Sequence, residues 1–125
     1  MTGAMKTILV VDDEDAQRKV IVAALRQRGY QTAEASDGME GLEQARLKRP
    51  DLIISDVFMD GMNGFIMVET LKEDAMTASI PVIMMTSAAQ SAGAWETSLA
   101  DDYIDKGFRM AELIERVEKI LKTVK

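Results

Sequence analysis

The sequence predicts an α/β fold, one domain with a parallel sheet covered by helices on both faces. Two observations lead there. Short apolar runs rich in β-branched residues alternate with longer segments whose apolar residues recur at helical spacing. No linker, repeat or second composition zone interrupts the alternation, and 125 residues suit one compact domain. Alternating βα units in one domain of this size imply parallel strands, with the crossover helices packed on the sheet.

Each element has its own local reason. Thr7–Val11 (TILVV) is apolar and β-branched, as a buried strand requires. Glu14 to Arg28 carries Val20, Ile21, Ala24 and Leu25 at helical spacing, and Gly29 supplies the stop. Gln31–Ala35 (QTAEA) is a weaker, more polar strand, suited to a sheet edge. Asp37-Gly38 opens a second helix with Met39, Leu42 and Ala45 on one face, and Arg49-Pro50 ends it. Asp51–Ser55 (DLIIS) reads as a buried strand, followed directly by Asp56. A turn-rich loop covers Met59–Gly64, and a third helix runs from Phe65 to about Asp74. Ile80–Thr86 is the fourth strand, with Pro81 near its beginning, where a missing N–H is tolerated. Gln90–Leu99 reads as a short helix and Asp102–Ile104 as a short last strand. The final helix keeps Met110, Leu113, Ile114, Val117, Ile120, Leu121 and Val124 on one face.

Composition excludes several chemistries. There is no cysteine and no histidine, so disulfides, thiol nucleophiles, Cys-type zinc sites and histidine bases or ligands are out. Carboxylate, hydroxyl, lysine and backbone remain. A formal net charge of −6 argues against direct nucleic acid binding, which needs excess lysine and arginine. No apolar run is long enough to cross a bilayer, and MTGAMKTILVV lacks the pattern of a signal peptide. The ten methionines fall mostly in apolar runs and read as core filler. Residues 1–5 are expected to be an N-terminal extension or tag remnant, and 6–125 the domain.

In open parallel sheets, ligands bind outside the carboxyl ends of the strands. The polar residues that end each apolar run therefore share one rim. Asp12 and Asp13 follow the first strand in ILVVDDED, Asp56 the third, Thr86 and Ser87 the fourth, and Lys106 lies just past the fifth. A single aspartate after a strand is more often a turn or helix cap. Three carboxylates, a hydroxyl and a lysine converging from distant parts of the chain shift the reading toward a site that holds a cation. Glu14 and Asp15 instead suit the solvated first turn of a helix, where the dipole favours anions.

The motifs ILVVDDE, LIISDVFMDGMNG, IMMTSA and DDYIDKGF stand in this order. With them the chain resembles the receiver domain of two-component response regulators, of the chemotaxis-type single-domain kind, from about Lys6 to Lys125. The resemblance implies a flavodoxin-like, doubly wound, five-stranded parallel sheet of order 2-1-3-4-5. It implies Asp56 as phosphoacceptor and Mg²⁺ held by Asp12, Asp13, Asp56 and the backbone carbonyl of Phe58. It implies Thr86 and Lys106 on the phosphoryl oxygens and Tyr103 as the aromatic switch residue. Partners would be a histidine kinase or histidine phosphotransfer protein and a downstream protein target. The output face would be the fourth helix, fifth strand and fifth helix. The resemblance further implies a cytoplasmic protein with no membrane insertion, a monomer or a weak phosphorylation-dependent dimer. The only catalysis expected is of its own phosphorylation and dephosphorylation.

Two positions depart from the family pattern. Asp60 stands where the family usually has proline, and Gly107 replaces a proline whose bond is typically cis. Lys106–Gly107 is thus expected to be trans, or cis at a cost of roughly 2.5–4 kcal/mol. Phe58 and Ala88 occupy positions that influence attack by water in the family, and neither can orient a water, so slow self-dephosphorylation is expected. Trp95 is expected on or beside the output face. Two competing readings are a degenerate receiver that binds partners without phosphate and a Mg²⁺-dependent phosphatase of another α/β family. The first usually lacks one of the acidic pair, the phosphoacceptor or the lysine, all present here. The second expects Gly-Thr after the DxD, where Ala16-Gln17 stands. With no output domain after the last helix the chain reads as stand-alone, although a receiver cut from a longer protein would read the same.

Overall fold

Successive strand residues point to opposite faces of a sheet, so an apolar run with no polar alternation must be covered on both sides. The computed structural model, which describes residues 5–59, 61–86 and 100–123, meets that demand. Strands β1 (Thr7–Val11), β2 (Gln31–Ala35), β3 (Leu52–Asp56), β4 (Val82–Thr86) and β5 (Asp102–Asp105) pair in parallel. Their order is β2-β1-β3-β4-β5, the doubly wound order implied above.

Two cores lie on the two faces. On one, Leu9, Val11, Ile53, Val82 and Met84 pack with residues of α2 (Gly38–Lys48) and α3 (Gly64–Glu73), among them Leu42, Ala45, Met67 and Leu71. On the other, Ile8, Val10, Ile54, Ile83, Met85 and Ile104 pack with α1 (Asp15–Gln27) and the C-terminal helix (Met110–Thr123). Leu113, Ile114 and Val117 of that helix are buried. Each contributes about 1.5–3 kcal/mol of apolar burial. As its polar sequence suggests, β2 is an edge strand.

Several boundaries differ from the expectation. The third strand is shifted by one residue, so Asp56 is its last member and pairs in register with Met85. The ladder continues there because Val57 N–H donates to Met85 O. Asp51 stays outside the strand, with its carboxylate accepting from Thr7 N–H at 2.8 Å. The fourth strand starts at Val82, because Ile80 N–H closes a turn on Thr77 O. The last strand runs on to Asp105. Val20 and Met39, expected on the inner helix faces, are 59% and 64% exposed. In α1 the buried series is Arg18, Ile21, Val22 and Leu25, and in α2 it is Gly38, Gly41, Leu42 and Ala45. The fourth helix expected over Gln90–Leu99 lies outside the described residues, as do Asp60, Ala88 and Trp95. No helix among the described residues is long and apolar enough to cross a membrane.

Candidate functional site

The carboxyl ends of β1, β3, β4 and β5 open on one rim: β1 delivers Asp12 and Asp13, β3 Asp56, β4 Thr86 and β5 Lys106. Asp12 leaves β1 fully buried. Its N–H donates to Ala35 O on β2 at 3.0 Å. Its carbonyl accepts from Arg18 Nη1 at 2.7 Å, and its Oδ1 accepts from Glu14 N–H at 3.0 Å. Glu14 is the N-cap position of α1 and makes no side-chain cap bond; Asp12 Oδ1 satisfies the N–H of Glu14 itself.

The other carboxylate oxygen, Asp12 Oδ2, is buried and has no hydrogen-bond partner among the described residues. Buried polar atoms are nearly always satisfied, so this one calls for a ligand. Asp13 and Asp56 supply the context. One carboxylate oxygen from each of Asp12, Asp13 and Asp56 lies within 4.8 Å of the others. Asp13 is exposed and Asp56 is buried. Three like charges so close favour a bound cation. An all-oxygen set of few carboxylates suits Mg²⁺, a hard ion that keeps several waters. The donor set therefore fits the metal implied by the resemblance. Burial raises the Asp12 pKa to about 6, helped by the charges of Asp56 and Asp13 and opposed by the Glu14 N–H and Lys106.

Lys106 reaches the cluster from beyond β5. Its Nζ donates to Asp56 Oδ2 at 2.8 Å, a pair in which Asp56 is buried and Lys106 is partly exposed. Burial opposes the ammonium charge, but the Asp56 bond and the charges of Asp56, Asp12 and Glu14 outweigh it. The lysine pKa therefore lies above its ordinary value. The described residues contain no cis peptide, so Lys106–Gly107 is trans. The loop is fixed by other means. Lys106 N–H donates to Thr86 O at 2.8 Å, and Gly107 N–H donates to Asp105 Oδ1 at 2.9 Å.

Thr86 ends β4, 1% exposed and one residue beyond the register partner of Asp56. Phe58 N–H donates to Asp56 Oδ1 at 3.4 Å, which keeps its backbone beside that carboxylate, while the residue as a whole is 47% exposed. Tyr103 pairs with Met84 across β4–β5 and packs, partly buried, on the α2/α3 core. Its carbonyl accepts from Arg116 Nη1, which also reaches Asp102 Oδ1 at 3.1 Å and so ties the C-terminal helix to β5.

Sequence reasoning missed Arg18, a buried arginine that touches the backbone of Asp12. The signal was present. Arg18 precedes Ile21, Val22 and Leu25 by three, four and seven residues, the spacing of one helix face.

The chain matches the family model described as response regulator receiver domain over residues 8–118. It is 36% identical over 122 residues to the phosphate regulon transcriptional regulatory protein PhoB of Klebsiella pneumoniae, covering 95% of this chain and 53% of that protein. It therefore spans about half the length of that relative. It is 34% identical over 119 residues to protein PilH of Pseudomonas aeruginosa, covering 94% of this chain and 98% of PilH. Among solved structures it resembles the receiver domain of sensor histidine kinase PA1611 from P. aeruginosa, which has a magnesium ion coordinated in its active site cleft. That likeness has a TM-score of 0.87 at 27% identity and covers 96% of this chain and 100% of the other.

Proposed function

Because the chain belongs to the response regulator receiver domain family of two-component signalling, we propose that it is a phosphorylation-activated switch with Asp56 as its phosphoacceptor. The observation that carries this reading is the ion pair of Lys106 with Asp56 at the edge of a three-carboxylate cluster. A buried carboxylate held by a lysine is a positioned nucleophile. One Asp56 oxygen attacks the phosphorus of a phosphohistidine on a histidine kinase or phosphotransfer protein. The P–N bond breaks, and the partner's imidazole leaves and takes up a proton. Lys106 moves from the carboxylate to a phosphoryl oxygen, and the Thr86 hydroxyl donates to another. Asp12, Asp13, Asp56 and the Phe58 carbonyl would hold Mg²⁺, which when bound supplies charge neutralisation for the transferring group. Domains of this family are signalling modules rather than enzymes acting on an external substrate. The output is contact with a downstream protein in the cytoplasm.

The test uses acetyl phosphate as donor. With Mg²⁺ the chain gains the mass of one phosphoryl group, and Asp56→Asn abolishes the gain. Equal labelling in excess chelator, or full labelling of Asp56→Asn, overturns the reading.

A further inference from the structure

A guanidinium in a protein interior is retained only with partners. Arg18 is 8% exposed, on the face of α1 that otherwise buries Ile21, Val22 and Leu25. It has three partners. Nη1 donates to Asp12 O at 2.7 Å, Nε to Glu34 Oε1 at 2.9 Å and Nη2 to Asp15 Oδ1 at 2.6 Å. Glu34 belongs to the edge strand β2 and also accepts from Lys19 Nζ at 3.0 Å. One planar fork thus joins the end of β1, the first turn of α1 and the sheet edge, a geometry that arginine can make and lysine cannot.

Each polar group of Asp12 but one is occupied. Backbone holds the N–H and Oδ1, and a side chain, Arg18, holds the carbonyl. The group left over is Oδ2, which belongs to the carboxylate cluster. We infer that Arg18 is a positioning residue for the divalent cation: anchored on Glu34, it grips the Asp12 carbonyl and fixes the turn that presents Asp12 and Asp13 to the metal. This inference rests on reading the carboxylate cluster as a cation site.

Two effects of Arg18 on a bound cation have opposite sign. As a charge, it repels a second cation, so its removal strengthens binding. As a support, its removal weakens binding, since the partners behind metal ligands typically carry about 10–100-fold in affinity. Asp15 and Glu34 already neutralise much of its charge, so the supporting effect dominates. The two ions Mg²⁺ and Ca²⁺ add a second discriminator. Mg²⁺ demands near-ideal octahedral geometry, whereas Ca²⁺ accepts irregular sites. A loosened turn therefore costs Mg²⁺ more than Ca²⁺, while a general loss of fold costs both alike.

The experiment titrates the full chain, Arg18→Met and Arg18→Lys with each ion, following the amide resonances of Val11, Asp13 and Phe58. In Arg18→Met the Mg²⁺ dissociation constant rises about tenfold and the Ca²⁺ constant distinctly less. Arg18→Lys, which keeps the charge but not the fork, loses Mg²⁺ affinity in the same direction to a smaller extent. Mg²⁺ binding that is unchanged or tighter in both variants overturns the inference, and so does an equal loss of both ions. If Arg18→Met does not fold, Arg18→Lys decides by the same criteria. A wild-type chain that binds no Mg²⁺ refutes the cation reading itself, an outcome distinct from equal binding by wild type and variants.

Discussion

Asp12 carries opposing demands: burial and two like charges favour its neutral form, and its proposed role as a metal ligand requires the ionised one. Its pKa is about 6, against 3.8 for the free side chain. Between those values the folded protein binds a proton that the unfolded chain has lost. Stability of the metal-free protein therefore falls as pH rises from about 4 to about 6, by on the order of 3 kcal/mol in total. Thermal melts in chelator across that range show the fall, and Asp12→Asn abolishes it; a fall that persists in the variant assigns the effect elsewhere. Mg²⁺ works the other way, since it needs the carboxylate. Its affinity drops about tenfold per pH unit below the Asp12 pKa, measurable as proton release on binding in buffers of differing ionisation enthalpy. The carboxylates were legible in the sequence because each ends an apolar run. Arg18 stood at the spacing of the same buried face but was passed over, because periodicity is read from apolar positions and a charge within the series passes as a solvated face. Geometry alone shows that its charge is matched on the inside.

Gly64 shows how elements are constrained by one another. The sequence suggests a loop glycine with a helix starting at Phe65, whereas Gly64 is the first residue of α3. A Cβ there would collide with the Asp56 carbonyl and come within 2.7 Å of Met84 Cε. Gly64 N–H also donates to Val57 O at 2.7 Å. The start of α3 is thus pressed against the backbone of β3 where it presents Asp56. Gly64→Ala should destabilise by about 1–3 kcal/mol, read as a lowered urea midpoint with unchanged slope. It should also slow labelling of Asp56 by acetyl phosphate; wild-type stability would mean that the contact relaxes freely. The same coupling explains the boundary errors. Where β3 ends depends on Met85 of its neighbour, and no property of DLIIS alone records that. Interior hydrophobicity locates a strand, while its partner decides the last residue.

The whole molecule is two cores divided by one sheet, and this was legible because strand runs without polar alternation require cover on both faces. The strand order was available only through the family motifs, since periodicity does not say which strands are neighbours. Under the proposed function, a change at the rim should reach the surface through β4 and β5, which pair there. With a beryllofluoride mimic and Mg²⁺, the amide signals of Asp102–Asp105 and the Tyr103 ring signals should shift, and Thr86→Ala should reduce the shift by half or more, as a differential contact with the bound anion requires. A fully bound mimic that leaves β5 untouched sinks this coupling. Arg116 holds the Tyr103 carbonyl and so ties that point of β5 to the C-terminal helix. One hydrogen bond bears on that coupling. The Lys106 N–H is fastened to the Thr86 carbonyl, so the two residues proposed to grasp the phosphoryl group share a single jaw. Neither can close by a large backbone movement without drawing the other along. If the proposed roles hold, the mechanical consequence is a grip whose two backbones move as a pair.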